Sequence, residues 1–369
     1  MKVLHTSDWH LGITLHNIPL IEDQRKFICD LIEIIKNEKI DAVIIAGDIF
    51  DSSVSSSDAI SLYNDAVTEI CGKMKIPMFI IAGNHDGAAR LASCRELLKS
   101  SGLYITGKLE ISPVKLKDTT IYSIPYFNID EVRAMYPKKE IKTYEEAMLL
   151  VCDIIRAMMD KTKKNIIISH SFVSGAALSE SDRSAVIGSA AMISKEVFSG
   201  FDYVALGHLH RPQNTGANVR YCGSPLKYSI GEATQRKSVT IIDTADMSVS
   251  EVEIVPLHNM RIIKGEYDKV LESAWYSEDF IKIEITDKFV SLEAISTFRN
   301  VYPNIVAISG KSPLENEQIT LTVDEIEKMS PAEILNKFFM ETQGFTPTGE
   351  QIDLFNEAIA AVDCGGDLS

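Results

Sequence analysis

No apolar run in this 369-residue chain approaches the roughly 20 residues that a membrane span needs. The opening stretch, MKVLHTSDWHLG, lacks the long apolar region of a secretion signal. The six cysteines (29, 71, 94, 152, 222 and 364) form no C-x-x-C pair or other zinc spacing, and a chain this long does not need disulfides. These absences argue against a membrane span, a zinc ribbon and a disulfide framework, and they make the cytoplasm the expected compartment. Positive charge is scarce too: 37 Lys and Arg face 52 Asp and Glu, a formal net charge of −15. Such a chain does not grip nucleic acid by its overall field, although a local basic surface or a partner can do so. Repeats and low-complexity segments are also missing.

What is present reads as a globular protein, 45% hydrophobic and 24% charged, long enough for a large core and a second domain. Strand-like and helix-like segments alternate over the first two hundred residues, which predicts an α/β sheet. Residues 21–36 space their apolar side chains as a helix does, and Ser57 with Asp58 offers an N-cap for a second helix reaching about Gly72. Four continuous apolar runs, DAVIIAGD, MFIIAGN, NIIISH and DYVALGH, read as strands buried on both faces. Each ends in a polar cluster (GD, GNHD, SHS and GHLH), and ligands gather where the strands of such sheets end.

Short strands over residues 219–256 are expected to complete the first domain, 1–256. A strand–strand–helix–strand unit then predicts a small α+β cap over 257–325. Residues 326–369 read as a helical tail with two capping-box signatures, SPAE at Ser330 and TGEQ at Thr348. The first tail helix puts Ile334, Leu335, Phe338 and Phe339 on an apolar face, and the second does the same with Ile352, Leu354, Phe355 and Ile359. Those faces pack on their own cap or dock on a partner helix.

The strand ends carry the chemistry. Asp8 and His10 sit two apart in SDWH, Asp48 lies in GDIFD, and Asn84 and His85 lie in GNHD. His170 lies in SHS, and His208 and His210 lie in GHLH. Five of the eight histidines fall here, while His5, His16 and His258 fall outside. Carboxylates, an amide oxygen and imidazoles without thiolate suit Mn²⁺ or Fe²⁺ better than structural zinc. Seven such positions exceed one ion with open sites and fit two ions sharing a bridge. Residues i and i+2 of an extended chain face the same way, so His208 and His210 are expected to reach adjacent ions. Gly207 lets the backbone approach the site. Singly each motif is weak; the ordered set is strong.

The set resembles the calcineurin-like metallophosphoesterases, whose β-sandwich flanked by helices holds two metals at strand ends. HTSDWHLG, AGDIFD, AGNHD, ALGHLHRPQ and YCGSPL resemble more closely the SbcD family, bacterial counterparts of the Mre-type nucleases. The resemblance implies that Asp8, His10, Asp48 and His210 hold one metal. Asp48 bridges, and Asn84, His170 and His208 complete the second site, with Mn²⁺ the expected ion. It further implies that His85 contacts the scissile phosphate and helps protonate the leaving oxygen. Asp86 in GNHD reads as a residue that orients a ligand rather than one that binds metal. Many archaeal and eukaryotic relatives have histidine where this chain has Asp51, so no histidine role is carried over there.

The implied activity is metal-dependent hydrolysis of DNA, exonucleolytic at duplex ends and endonucleolytic on single strands and hairpins, in repair, recombination and replication. The implied partners are DNA, a second copy, and an SbcC-type ATPase gripped by the tail in a heterotetramer. Trp9 and Leu11 are expected to pack around the site, and Arg211 to pair with a carboxylate or touch DNA phosphate. Cap charges such as Arg261, Lys264, Lys282 and Lys288 face solvent or the DNA backbone. Two rivals remain: another phosphatase or small-molecule phosphodiesterase of the same superfamily, and a non-catalytic scaffold on the same fold.

Overall fold

A computed structural model describes residues 1–178, 192–288, 290, 292–310, 330, 333, 335, 336, 339, 340, 345–349 and 351–356. The chain forms two compact units, one of Met1–Ile262 with Glu278–Lys282, the other of Ile263–Ser277 with the residues from Ile283 on. No helix among the described residues is long and apolar enough to cross a membrane.

The first unit contains two six-stranded sheets. One runs in the order Ser248–Glu253, Ser238–Asp243, Lys2–Thr6, Ala42–Ile45, Met78–Ile81, Leu103–Thr106. The other runs Gln213–Asn214, Val219–Tyr221, Tyr203–Gly207, Lys164–His170, Thr119–Ile124, Val114–Leu116. Lys2–Thr6, Ala42–Ile45, Met78–Ile81 and Leu103–Thr106 of the first sheet run parallel, as do the four central strands of the second, in keeping with apolar runs covered on both faces, while Ser238–Asp243 lies antiparallel to Lys2–Thr6. Alternation sorts the side chains. Ile166, Ile168, Tyr203 and Ala205 of one sheet share a core with Val3, Ala42, Ile44 and Phe79 of the other. Their neighbours Ile167, Val204 and Leu206 pack on the far side with Met148, Val151 and Ile155 of the helix Tyr144–Met158. That helix starts at a capping box built from Thr143 and Glu146.

Helix Ile21–Glu38 covers the segment its periodicity predicts. The helix after the second strand, Ser57–Val67, is capped by Ser56, one residue earlier than expected, and continues as a π-helical turn to Lys73. A three-stranded sheet runs Met260–Gly265, Phe280–Ile285, Ile305–Ser309; the second unit takes in the latter halves of its first two strands, the whole of its third and the helix Leu292–Arg299. It adds a short helix, Tyr267–Glu272, that the pattern does not announce. In the tail both capping boxes form: Ser330 and Glu333 bond each other's backbone N–H, as do Thr348 and Gln351. Ile334, Phe338 and Ile359 lie outside the described residues.

His5 links the two sheets. Its Nε2 donates to the Leu206 carbonyl at 3.2 Å, which leaves Nδ1 to accept from the Tyr203 hydroxyl at 3.1 Å. Burial, with the nearby Arg220 charge, pushes its pKa down to about 3. The unfolded chain takes up this proton near pH 6.5, whereas the folded chain resists it until about pH 3. His5 therefore contributes stability above pH 6.5 that is lost as pH falls through that window, on the order of 5 kcal/mol in full. In His5→Gln, urea unfolding between pH 6.5 and 4.5 should show a pH slope shallower than wild type by close to one proton. An unchanged slope would mean that His5 does not carry this term.

Candidate metal centre

The strand ends of both sheets open on one side, and the loops that leave them are zipped together. Asp8 N–H donates to Gly47 O, His10 N–H to Asp48 O and Leu11 N–H to Ile49 O, at 2.9–3.0 Å. Asp8, His10, Asp48 and His208 all have positive φ, between 42° and 104°. Side chains adopt that region reluctantly, and clusters of such residues mark functional sites. Gly207 and Gly47 are required where the sheets meet: a Cβ on Gly207 would overlap the Ala46 carbonyl oxygen, and one on Gly47 the His170 ring.

Seven residues converge as two adjacent sets. In one, His10 Nε2 and His210 Nε2 face each other at 3.3 Å, with Asp8 close by. In the other, Asn84 Oδ1 lies 2.9 Å from His170 Nε2 and 3.1 Å from His208 Nδ1. Asp48 Oδ2 touches both, 3.7 Å from His10 Nε2 and 3.3 Å from His170 Nε2. His208 and His210 do not reach their sets by pointing the same way along an extended chain. The strand ends at Gly207, and the turn at His208 sends the two rings to different sets.

The donor chemistry fits cations. His170 Nδ1 must donate to the Ala46 carbonyl (2.9 Å), so in the neutral ring Nε2 is a bare lone pair aimed at two oxygens that only accept. Such a set needs a positive charge at its centre. Burial disfavours charge on His170, but Asp48 and Asp8 outweigh it and raise its pKa to about 9, so a proton holds this place when no cation does. Burial would likewise raise Asp48, yet the neighbouring His170 and His10 hold it well below the carboxylate range. Burial among His170 and His210 lowers His208 to about 3, which leaves it a free base at neutral pH. Asp8 is raised by burial, and its carboxylate accepts from His208 N–H at 2.9 Å.

His85 is exposed beside these sets. Its N–H donates to Asp48 Oδ1, and its Nδ1–H donates to the Asp51 carbonyl at 2.9 Å. Its ring lies edge-on to His10, 4.8 Å between centroids, and together with His10 and Asp51 it makes a third group whose atoms could hold an ion. Asp86 faces away from the donors. Its carboxylate accepts the backbone N–H groups of Ile49, Phe50 and Gly83 at 2.9–3.2 Å, tying the Asp48 loop to the Asn84 loop. Asp86→Ala would strand three buried donors and should cost about 3 kcal/mol or more. Thermal unfolding of the metal-free protein would reveal this loss, and an unchanged melting temperature would remove Asp86 from that role.

Around the site, Trp9 is fully buried edge-on to Phe27, and Leu11 is buried. No carboxylate among the described residues pairs with Arg211, which lines a cleft with Arg236 and Glu251. Arg261, Lys264 and Lys288 do pair, with Asp279, Glu284 and Asp268. Of the other histidines, His258 bonds Asp23 and His16 is exposed.

Several contributors lie outside the sequence motifs. Gln24 donates to the His10 carbonyl (2.7 Å) and accepts from Gly12 N–H, and Tyr228 donates to the Trp9 carbonyl. Gln24 carries a signal, being a polar residue on the apolar face of the first helix. Glu232, completely buried and 3.2 Å from His210 Nδ1, carries none.

The family model described as calcineurin-like phosphoesterase matches residues 1–212, and the one described as type 5 capsule protein repressor C-terminal domain matches residues 256–343. A protein of Staphylococcus saprophyticus, named as the SbcD subunit of the nuclease SbcCD, is 30% identical over 370 residues, covering 98% of both chains. Its namesake from Staphylococcus epidermidis is 30% identical over 348 residues, covering 92% of both. Matched this way along nearly its whole length, the chain belongs to the calcineurin-like phosphoesterases and, among them, to the SbcD family.

Proposed function

We propose that the chain is the nuclease subunit of an ATP-dependent complex, hydrolysing DNA phosphodiesters with two divalent cations, Mn²⁺ suiting the donor set best. The convergence of seven donors into two sets that share Asp48 carries this reading. Asp8, His10, Asp48 and His210 hold one ion; Asp48, Asn84, His170 and His208 hold the other. Cations held there would neutralise phosphate charge and supply a nucleophile near neutral pH. The chain's own residues do the rest. Asp48 sets the spacing, and Asp86 keeps the two loops in register. His85, anchored through Nδ1 on the Asp51 carbonyl, handles the leaving group's proton at Nε2.

Arg211 and Arg236 line a cleft of about 370 Å³, whose Glu251 is paired with Arg220, and supply local positive charge for the DNA backbone. In this proposal residues 1–256 are the nuclease domain, 257–325 contact DNA, and 326–369 dock an SbcC-type ATPase. The exposed Leu354 on the last described helix supports that docking. Exposed Val54 and Ile60, which line one cleft, offer an apolar surface for a second copy, giving a homodimer and, with the ATPase, a cytoplasmic heterotetramer.

The test is incubation with Mn²⁺ and end-labelled duplex and hairpin DNA, with and without the partner ATPase. Exonucleolytic and hairpin cleavage is expected, in keeping with work in repair, recombination and replication. Hydrolysis of a small phosphodiester without any cutting of DNA would keep the chemistry and overturn the substrate.

A further inference from the structure

Glu232 is a carboxylate with no access to solvent, on the turn Ile230–Glu232, twenty-two residues beyond His210. Oε1 accepts from His210 Nδ1 and Ser229 Oγ, both at 3.2 Å. Oε2 accepts from Lys237 Nζ at 2.6 Å. Lys237 is buried as well, and its ammonium also donates to the His210 carbonyl (2.8 Å) and to Ser224 Oγ (2.9 Å). The same ion pair therefore grips both ends of His210: Lys237 its main chain, Glu232 its ring.

The chemical consequence is specific. A carboxylate on Nδ1 takes that nitrogen's proton as a hydrogen bond and leaves the lone pair on Nε2, the atom that faces His10 Nε2 at 3.3 Å. It also makes the imidazole a stronger donor. Among the described residues the other set shows no such carboxylate: His170 is anchored by a neutral carbonyl, that of Ala46. His10 has Asp51 at 3.6 Å, on a side chain that is 38% exposed. A buried ion pair is weak support for a fold by itself, since desolvation offsets most of its attraction, so an orienting role accounts better for this one.

We propose that Glu232, held in place by Lys237, is a positioning residue that sets the cation affinity of the Asp8–His10–His210 set and leaves the Asn84–His170–His208 set unaffected. This rests on the two-cation reading above.

The test is calorimetric titration of Mn²⁺ into the metal-stripped full-length protein, read alongside the Mn²⁺ paramagnetic resonance spectrum. The comparison is between wild type, Glu232→Gln and the charge-free pair Glu232→Gln/Lys237→Met. Wild type should take up two ions and show the spectrum of a coupled pair. Each variant should bind one ion as wild type does and the second 10–100-fold more weakly. At one equivalent its spectrum should be that of an isolated ion. Two ions bound with wild-type affinity would overturn the proposal and leave a structural ion pair, as would equal weakening of both. If Glu232→Gln alone does not fold, the double variant, free of an unmatched buried lysine, decides in the same way. A wild type that binds fewer than two ions would instead overturn the two-cation reading.

Discussion

Asp48→Ala is expected to lower phosphodiester hydrolysis by on the order of a thousandfold or more, and to lower metal content with it. A cation's stabilisation of phosphate charge is worth several kcal/mol, and each 1.4 kcal/mol is about tenfold in rate. Asp48 touches both donor sets through one oxygen, and its other oxygen accepts the His85 N–H. Truncation therefore removes the shared donor and frees the loop that carries His85. Metal analysis of the purified variant and its rate on DNA would check both. Two ions per chain with more than a tenth of the wild-type rate would remove Asp48 from the bridging role.

The second large effect separates a proton donor from a ligand. His85→Ala should keep both ions yet cut DNA hydrolysis by roughly 10²–10⁴, the usual range for a positioned acid. The loss should be small on a bis-aryl phosphodiester, whose leaving group departs without a proton. The geometry motivates this, because His85 is exposed and donates through Nδ1 to a carbonyl, outside the two donor sets. It also supplies the competing outcome, since His85 shares a third group with His10 and Asp51. If the variant loses an ion, or loses equally on both substrates, His85 binds metal and does not act as the acid.

Much of this is legible along the chain, and for a local reason. Short, β-branched apolar runs such as AVII and NIIIS read as strands covered on both faces, and the residues at which they stop are visible one by one. Both tail capping boxes depend on residues three apart, so SPAE and TGEQ are readable without a fold. The helix after the second strand starts one residue away from its expected cap because Ser56, Ser57 and Asp58 all make acceptable caps, and only backbone geometry chooses among them.

The sequence by itself determined which donors stand at which strand ends, because side-chain period and turn chemistry are short-range properties. Only the tertiary structure decided how those donors divide. His208 and His210, two apart, go to different sets because the backbone turns at positive φ, which nothing in GHLH announces. Asp86 became the tie between two loops, and Glu232 the carboxylate behind His210, through contacts across 36 or 37 and 22 residues. Such partners are chosen by how the sheets stack and where the loops cross, and the free energy of burying a charged group depends on what the rest of the fold places beside it.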